Sequence, residues 1–301
     1  MTSSARLPLS HALLAVAVVA VWGTNFVVIK LALGSLPPLL FATLRFACAL
    51  LPAVFFLPRP AVRWRNLVAY GVLIGACQFG VMFIAINGHI SPGLASLVIQ
   101  TQVFFTVMLA VLVARERVQA LQWVALLMGA AGLAVIVMHS DGSTTPLGLA
   151  LTLFAALSWA AGNLVGKQAG RVNMLAYMVW ASLFSVLPLA ALSLALEGPA
   201  VIAQALAGAD VAVWAAVVWQ AVGNTLFGYA AWAWLLARHP AATIVPMALL
   251  VPVFGMTASA WWLGESLPGW KLGAAALIIG GLALNLLGPQ LRALWLRSTT
   301  A

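Results

Sequence analysis

Charge is what this sequence has least of. Fourteen Lys and Arg and five Asp and Glu make up 6% of 301 residues, where a soluble domain carries roughly a quarter. With an apolar share of 64% and a mean hydropathy of +1.10, the chain has too little polar surface to cover a core in water, so soluble classes are excluded. Cysteine is equally sparse. Cys48 and Cys77 lie in apolar runs with no CxxC spacing and no nearby histidine, which implies neither a disulfide nor a zinc site. No GxSxG or HExxH occurs, and His11, His89, His139 and His239 all fall at or near the ends of apolar blocks. An intramembrane enzyme is set aside on that ground, and no cofactor or metal is expected.

What is present is apolar sequence in blocks of bilayer-spanning length. Ten are read, over about residues 10 to 32, 37 to 57, 66 to 87, 92 to 114, 119 to 138, 146 to 168, 173 to 195, 212 to 236, 240 to 263 and 268 to 289. The expected fold is an all-α polytopic membrane protein. The longest joint, about 196 to 211, is too short for a separate domain, so function must lie between helices. The first block is too long for a signal-peptide core and is read as a retained span.

A cytoplasmic N-terminus puts eleven of the fourteen basic residues in inner joints: Arg6, Arg59, Arg63, Arg65, Arg115, Arg117, Lys167, Arg171, Arg238, Arg292 and Arg297. Lys30 and Lys271 fall outside, with Asp141, Glu197, Asp210 and Glu265, and Arg45 lies within span two. The positive-inside rule therefore accounts for the net charge of +9. A nucleic-acid partner is not needed, and both termini are expected in the cytoplasm.

The two halves resemble each other. Trp22 to Lys30 in span one matches Trp159 to Lys167 in span six, with Asn25 and Asn163 between them. Phe79-Gly80 matches Phe227-Gly228, and Pro92 matches Pro240, both at an offset of 148. Thr101-Gln102-Val103-Phe104 ahead of Glu116 parallels Val251-Pro252-Val253-Phe254 ahead of Glu265 with a one-residue slip. Matches in one order point to internal duplication, with residues 1–138 as one five-helix repeat and 139–301 as the other. Five is odd, so the second copy enters from the opposite face. Two inverted repeats suit alternating access to a site near the midplane, the logic of a secondary carrier.

Trp22-Gly23-Thr24-Asn25-Phe26-Val27-Val28-Ile29-Lys30, Pro252-Val253-Phe254 and Leu263-Gly264-Glu265, set in ten spans, resemble the EamA-type branch of the drug/metabolite transporter superfamily. The resemblance covers about residues 11 to 288. Within that superfamily the chain looks most like bacterial inner-membrane amino-acid exporters, the aromatic group included, and this likeness implies amino-acid efflux across the cell inner membrane. Gln102 stands where the family's first half often has proline, so the halves need not bend alike.

Polar side chains are costly in hydrocarbon and mark candidate positions. Asn25, Gln78, Gln100, Gln102, Asn163 and Asn224 are the amides chosen as substrate-binding, with Trp22, Phe79, Trp159 and Tyr229 as aromatic companions and Trp232 one to two turns away. Thr101, Thr106, Gln220 and Thr225 share the same blocks, whereas spans five and ten are almost free of polar residues and read as outer scaffold. For each amide, an interhelical hydrogen bond is the alternative. Pro246 and Pro252 in span nine free the carbonyls of Ala242 and Ala248 and are candidate hinges, a static kink being the alternative. Arg45 is expected to snorkel to the outer surface, about 12 Å away, with carboxylate recognition as the second reading. Trp64, Trp123, Trp261, Trp262, Trp270 and Trp295 lie near span ends, as belt tryptophans do.

Phosphorylated cargo would need several basic residues in the cavity, and a cationic drug a mid-span carboxylate; Arg45 is the one candidate for the first, and nothing meets the second. The expected function is thus export of neutral or zwitterionic metabolites, amino acids including aromatic ones, without obvious ion coupling. Exchange of nucleotide-sugars or phosphorylated compounds, or a passive channel, is the alternative. The partners are a small-molecule substrate and the lipid bilayer, with the chain a monomer or, alternatively, a dimer.

Overall fold

The computed structural model describes residues 7–114, 120–139, 144–170 and 172–299. Arg6, Arg115, Glu116, Arg117, Asp141 and Arg171 lie outside the described residues, as do the side chains of Arg292, Trp295 and Arg297. The described residues are helical, with no strand among them, and ten helical segments are long and apolar enough to cross a membrane. In order they are Leu9–Ala32, Pro38–Phe56, Trp64–Ile86, Pro92–Leu112, Ala120–Met138, Pro146–Gln168, Met174–Leu196, Val211–Arg238, Ala241–Leu263 and Gly269–Gly288; they are called spans one to ten below. The chain is an all-α polytopic membrane protein.

Local chemistry sets the span ends. Pro38, Pro92 and Pro146 occupy first helical turns, where a missing N–H costs nothing. Thr145, Asn173 and Asp210 cap spans six, seven and eight by accepting from the amides of Gly148, Ala176 and Val213 at 3.0, 3.2 and 2.9 Å. Two features were not expected. The joint before span eight folds into a short helix, Pro199–Ala207, and the helix of span ten continues to Thr299.

Four spans depart from α geometry near their middles. Span three is π-helical over Val72–Gly80 and span eight over Trp219–Phe227. Span four tightens to a 3-10 turn at Ile99–Thr101, and span nine does so at Val245–Leu249. Such turns leave carbonyls off the regular ladder, and they cluster at functional positions in helices.

Small residues let the backbones touch. A Cβ on Gly23 of span one would stand 2.5 Å from the Phe254 Cβ and 2.6 Å from the Val251 carbonyl of span nine. Span three meets span seven where the Ser185 hydroxyl donates to the Gly71 carbonyl at 2.9 Å. Spans five and ten pack against each other through Gly132, Gly281 and Ile278.

The two ends of the bundle differ. At the end where the chain enters span one, Arg59, Arg63, Arg65, Lys167 and Arg238 are exposed. At the other end carboxylates clip helices together. Glu197 accepts from the first amides of span two, Leu39 and Leu40, at 2.6 and 2.9 Å, and from Ser193 at 2.6 Å. Glu265 accepts from Ser91, from the Gly93 amide at 3.0 Å and from Lys271 at 3.1 Å. Both acids sit at helix N-termini, where negative charge is favoured. Trp64, Trp123, Trp261 and Trp262 are exposed near span ends, while Trp270 stacks on His139 at 5.4 Å.

Candidate functional site

A cavity of about 420 Å³ opens between spans one, three, four and six to ten, within the size range of small-molecule sites. It runs from mid-bundle toward the end bearing the exposed basic residues, where Met174, Leu236 and Leu286 line it. All ten residues singled out from the sequence, Trp22, Asn25, Gln78, Phe79, Gln100, Gln102, Trp159, Asn163, Asn224 and Tyr229, stand in its wall.

The irregular turns put them there. The π turn of span eight presents the Asn224 carbonyl to the Trp22 indole, which donates to it at 3.2 Å. Gly228, the next turn on, lies against that same indole, so any side chain there would displace Trp22. Tyr229 and Trp232 complete an aromatic group around Trp22, with ring centroids at 5.8 and 5.2 Å. Across the cavity, Gln100 donates to the Ala248 carbonyl at 3.4 Å, and Asn163 donates to Gln102 at 3.1 Å. Those two amides are engaged. Asn25 and Gln78 are not: each is buried, and their oxygens Oδ1 and Oε1 have no hydrogen-bond partner. An unpaired buried acceptor is costly, and both residues stand in the cavity wall.

Several sequence expectations change. Span ten is more than scaffold, because Leu282 and Leu286 reach the cavity wall. Trp232, an aromatic near the amides in sequence, also lines it, as do Tyr70, Met82 and Ile99; Ile99 adjoins Gln100, but its apolar side chain gives no signal of its own. Thr101, Thr106, Gln220 and Thr225 lie outside the wall. Thr101 and Thr106 return their hydroxyls to the Val98 and Gln102 carbonyls at 2.7 and 2.8 Å.

Span nine has one break instead of two kinks. Pro246 lies inside the 3-10 stretch, and Pro252 falls in the first turn of the helix Leu250–Leu263, where proline is tolerated. Ala248 lines the cavity but its carbonyl is taken by Gln100, and Ala242 does not line it.

Arg45 does not snorkel. It is 0% exposed. Its guanidinium carbon lies 3.6 Å from the Phe79 ring centroid and 5.1 Å from that of Phe46, and Nη2 donates to the Thr225 hydroxyl at 3.2 Å. Helix direction would let it reach outward, but these rings and the hydroxyl hold it inside.

Comparison with known proteins agrees with the architecture. The sequence model of the EamA-like transporter family matches residues 9–138 and again 146–287. The chain is 41% identical over 285 residues to a probable amino-acid metabolite efflux pump of Salmonella typhimurium, and 39% identical over 285 residues to the protein of that name in Escherichia coli. In both cases the match covers 93% of this chain and 95% of the relative. A protein of known crystal structure, 20% identical, superposes with a TM-score of 0.63 over 94% of this chain and 98% of that one, which is a likeness of fold.

Proposed function

The chain belongs to the EamA-like transporter family, and from that premise we propose that it exports amino acids, aromatic ones included, across a bacterial inner membrane by alternating access. Membership makes it a transporter and not an enzyme. The observation that carries the substrate reading is the pair of unpartnered acceptors, Asn25 Oδ1 and Gln78 Oε1, in a cavity walled by Trp22, Trp159, Phe79 and Tyr229. The acceptors suit an ammonium, and the rings suit an apolar side chain. The names of the two bacterial relatives, probable amino-acid metabolite efflux pumps, support the same class. A helical polytopic chain belongs in an inner membrane, since outer membranes take closed barrels.

The halves, each matched by the same family model, act as inverted five-helix repeats. Both termini are cytoplasmic, which places the exposed Arg59, Arg63, Arg65, Lys167 and Arg238 inside. The cavity then faces inward, the carboxylate clips close the outer end, and the break at Val245–Leu249 serves as a hinge. Among the described acids, Glu197, Asp210 and Glu265 are all spent on helix ends, so no mid-span carboxylate is available to carry a coupled proton. Efflux follows the substrate's own gradient.

Reconstituted vesicles should equilibrate labelled phenylalanine at neutral pH with no imposed ion gradient. Failure to move any aromatic amino acid would refute the substrate reading, and accumulation driven by a proton gradient would refute the coupling. In a background lacking Cys48 and Cys77, Ala61→Cys should label from the cytoplasmic face and Ala200→Cys from the other; the reverse pattern would invert the orientation.

A further inference from the structure

The most unusual side chain in the bundle is one that the cavity wall hides. Arg45 is fully buried in span two, and its Nε and Nη1 have no hydrogen-bond partner. Its only hydrogen bond goes to the neutral Thr225 hydroxyl, which itself donates to the Gln220 carbonyl at 2.9 Å. Gln220 is also fully buried, and both atoms of its side-chain amide are unpartnered. The one ion pair between described side chains is Lys271 with Glu265; the other described acids, Glu197 and Asp210, cap helices elsewhere. Among the described residues, Arg45 is therefore a mid-span guanidinium with no counter-ion. A buried charge in that condition is strongly unfavourable unless something pays back the desolvation.

One partial compensation is visible, and it points at the cavity. Phe79 lies over the guanidinium at 3.6 Å and forms part of the cavity wall. A cation over an aromatic face is stabilised, but the ring leaves the in-plane N–H groups unused. Those groups form a fork that matches a carboxylate in two parallel hydrogen bonds. Phe79 thus touches both the guanidinium and the space a substrate would fill, and Gln78, with its unpartnered acceptor, is the adjacent residue in the same π turn.

We propose that Arg45, uncovered when the Phe79 ring turns aside, binds the carboxylate of the transported amino acid while Asn25 and Gln78 hold its ammonium. This rests on the amino-acid export reading and sharpens it. The transporter then selects zwitterions over amines of the same shape, and the empty protein keeps its cation shielded by an aromatic lid.

The test compares phenylalanine with phenylalaninamide, which keeps the ammonium and ring and lacks the carboxylate. Thermal shifts of the purified full chain give relative affinity, and counterflow in vesicles, corrected for protein-free vesicles, gives transport. Wild type should prefer phenylalanine roughly ten- to hundredfold, the worth of hydrogen bonds to a charged group. Arg45→Gln should erase that preference by weakening phenylalanine while leaving phenylalaninamide within about twofold. Arg45→Lys keeps the charge but not the fork, and should retain a preference about tenfold weaker than wild type; it decides the matter if Arg45→Gln does not fold. A preference unchanged in either variant overturns the proposal, as does equal loss of both ligands, which would mark Arg45 as purely structural. Equal binding of both ligands by wild type overturns it while leaving amino-acid export standing, and binding of neither overturns both.

Discussion

Spans four and nine bend at matching depths by different means. Span four tightens over three residues, Ile99–Thr101, with no proline; its turn is tied by the Thr101 hydroxyl to the Val98 carbonyl at 2.7 Å and by Gln100 to span nine. Span nine gives up five residues, Val245–Leu249, around Pro246, whose ring forbids the regular bond. The first bend is held by side chains and the second is imposed by the backbone. The same contrast runs through the cavity wall. Asn163 of the second half is paired with Gln102, whereas Asn25 of the first half has an unpartnered oxygen. Gly228 seats a tryptophan, whereas its counterpart Gly80 faces the end of the Leu189 side chain, 2.8 Å from where a Cβ would lie. On the proposed reading, the two halves thus divide between them the holding of a ligand and the support of the frame.

Three pairs of variants sharpen or break that division, all measured as kcat/KM for phenylalanine in vesicles with thermal stability alongside. The largest effect is expected between Asn25→Leu and Asn163→Leu. Losing the acceptor that takes the ammonium should cost roughly ten- to hundredfold, while losing the bond to Gln102, worth about 1 kcal/mol, should cost a few fold. Equal losses would erase the distinction between the halves. Next come Gly228→Ala and Gly80→Ala. Overpacking costs about 1 to 3 kcal/mol, and at Gly228 it falls on Trp22, so transport should drop about tenfold there. At Gly80 a flexible leucine yields, and transport should stay within about twofold. The smallest pair is Pro246→Ala and Gln100→Leu. Restoring a backbone bond at Pro246 should slow turnover about threefold with KM unchanged, and loss of the Gln100 tie should raise turnover by less than that. A Pro246→Ala protein with wild-type turnover would make the break a static kink.

The spans were legible because crossing hydrocarbon as helix demands some twenty apolar residues, and the observed bounds fall within two residues or so of those read from hydropathy. The short helix Pro199–Ala207 was not legible: its nine residues are too few to span and sit in a stretch read as a joint. In the cavity, amides announce themselves by their cost in lipid, and tryptophans by their place beside them. Met82 and Ile99 carry no such signal, since an apolar residue facing a cavity looks like one facing a neighbour. Arg45 shows a different limit. Helix direction permits a route to the surface, but adjacent Phe46, with Phe79 and Thr225 from distant parts of the chain, decides that the route is not taken.

The exposed tryptophans fix a property that belongs to the membrane as much as to the protein. Trp64 and Trp123 stand at one end of the bundle, and Trp261 and Trp262, 83% and 63% exposed, at the other, so indoles grip both headgroup layers. Between them spans three, six, seven and nine have 23 residues each, roughly 34 Å of helix, a little more than the thickness of an ordinary hydrocarbon core. A modest tilt takes up the difference. A bilayer of much longer acyl chains would leave these spans too short to match. Export rate should therefore fall as lipid chains lengthen beyond that match, making acyl-chain length a regulator of the proposed exporter.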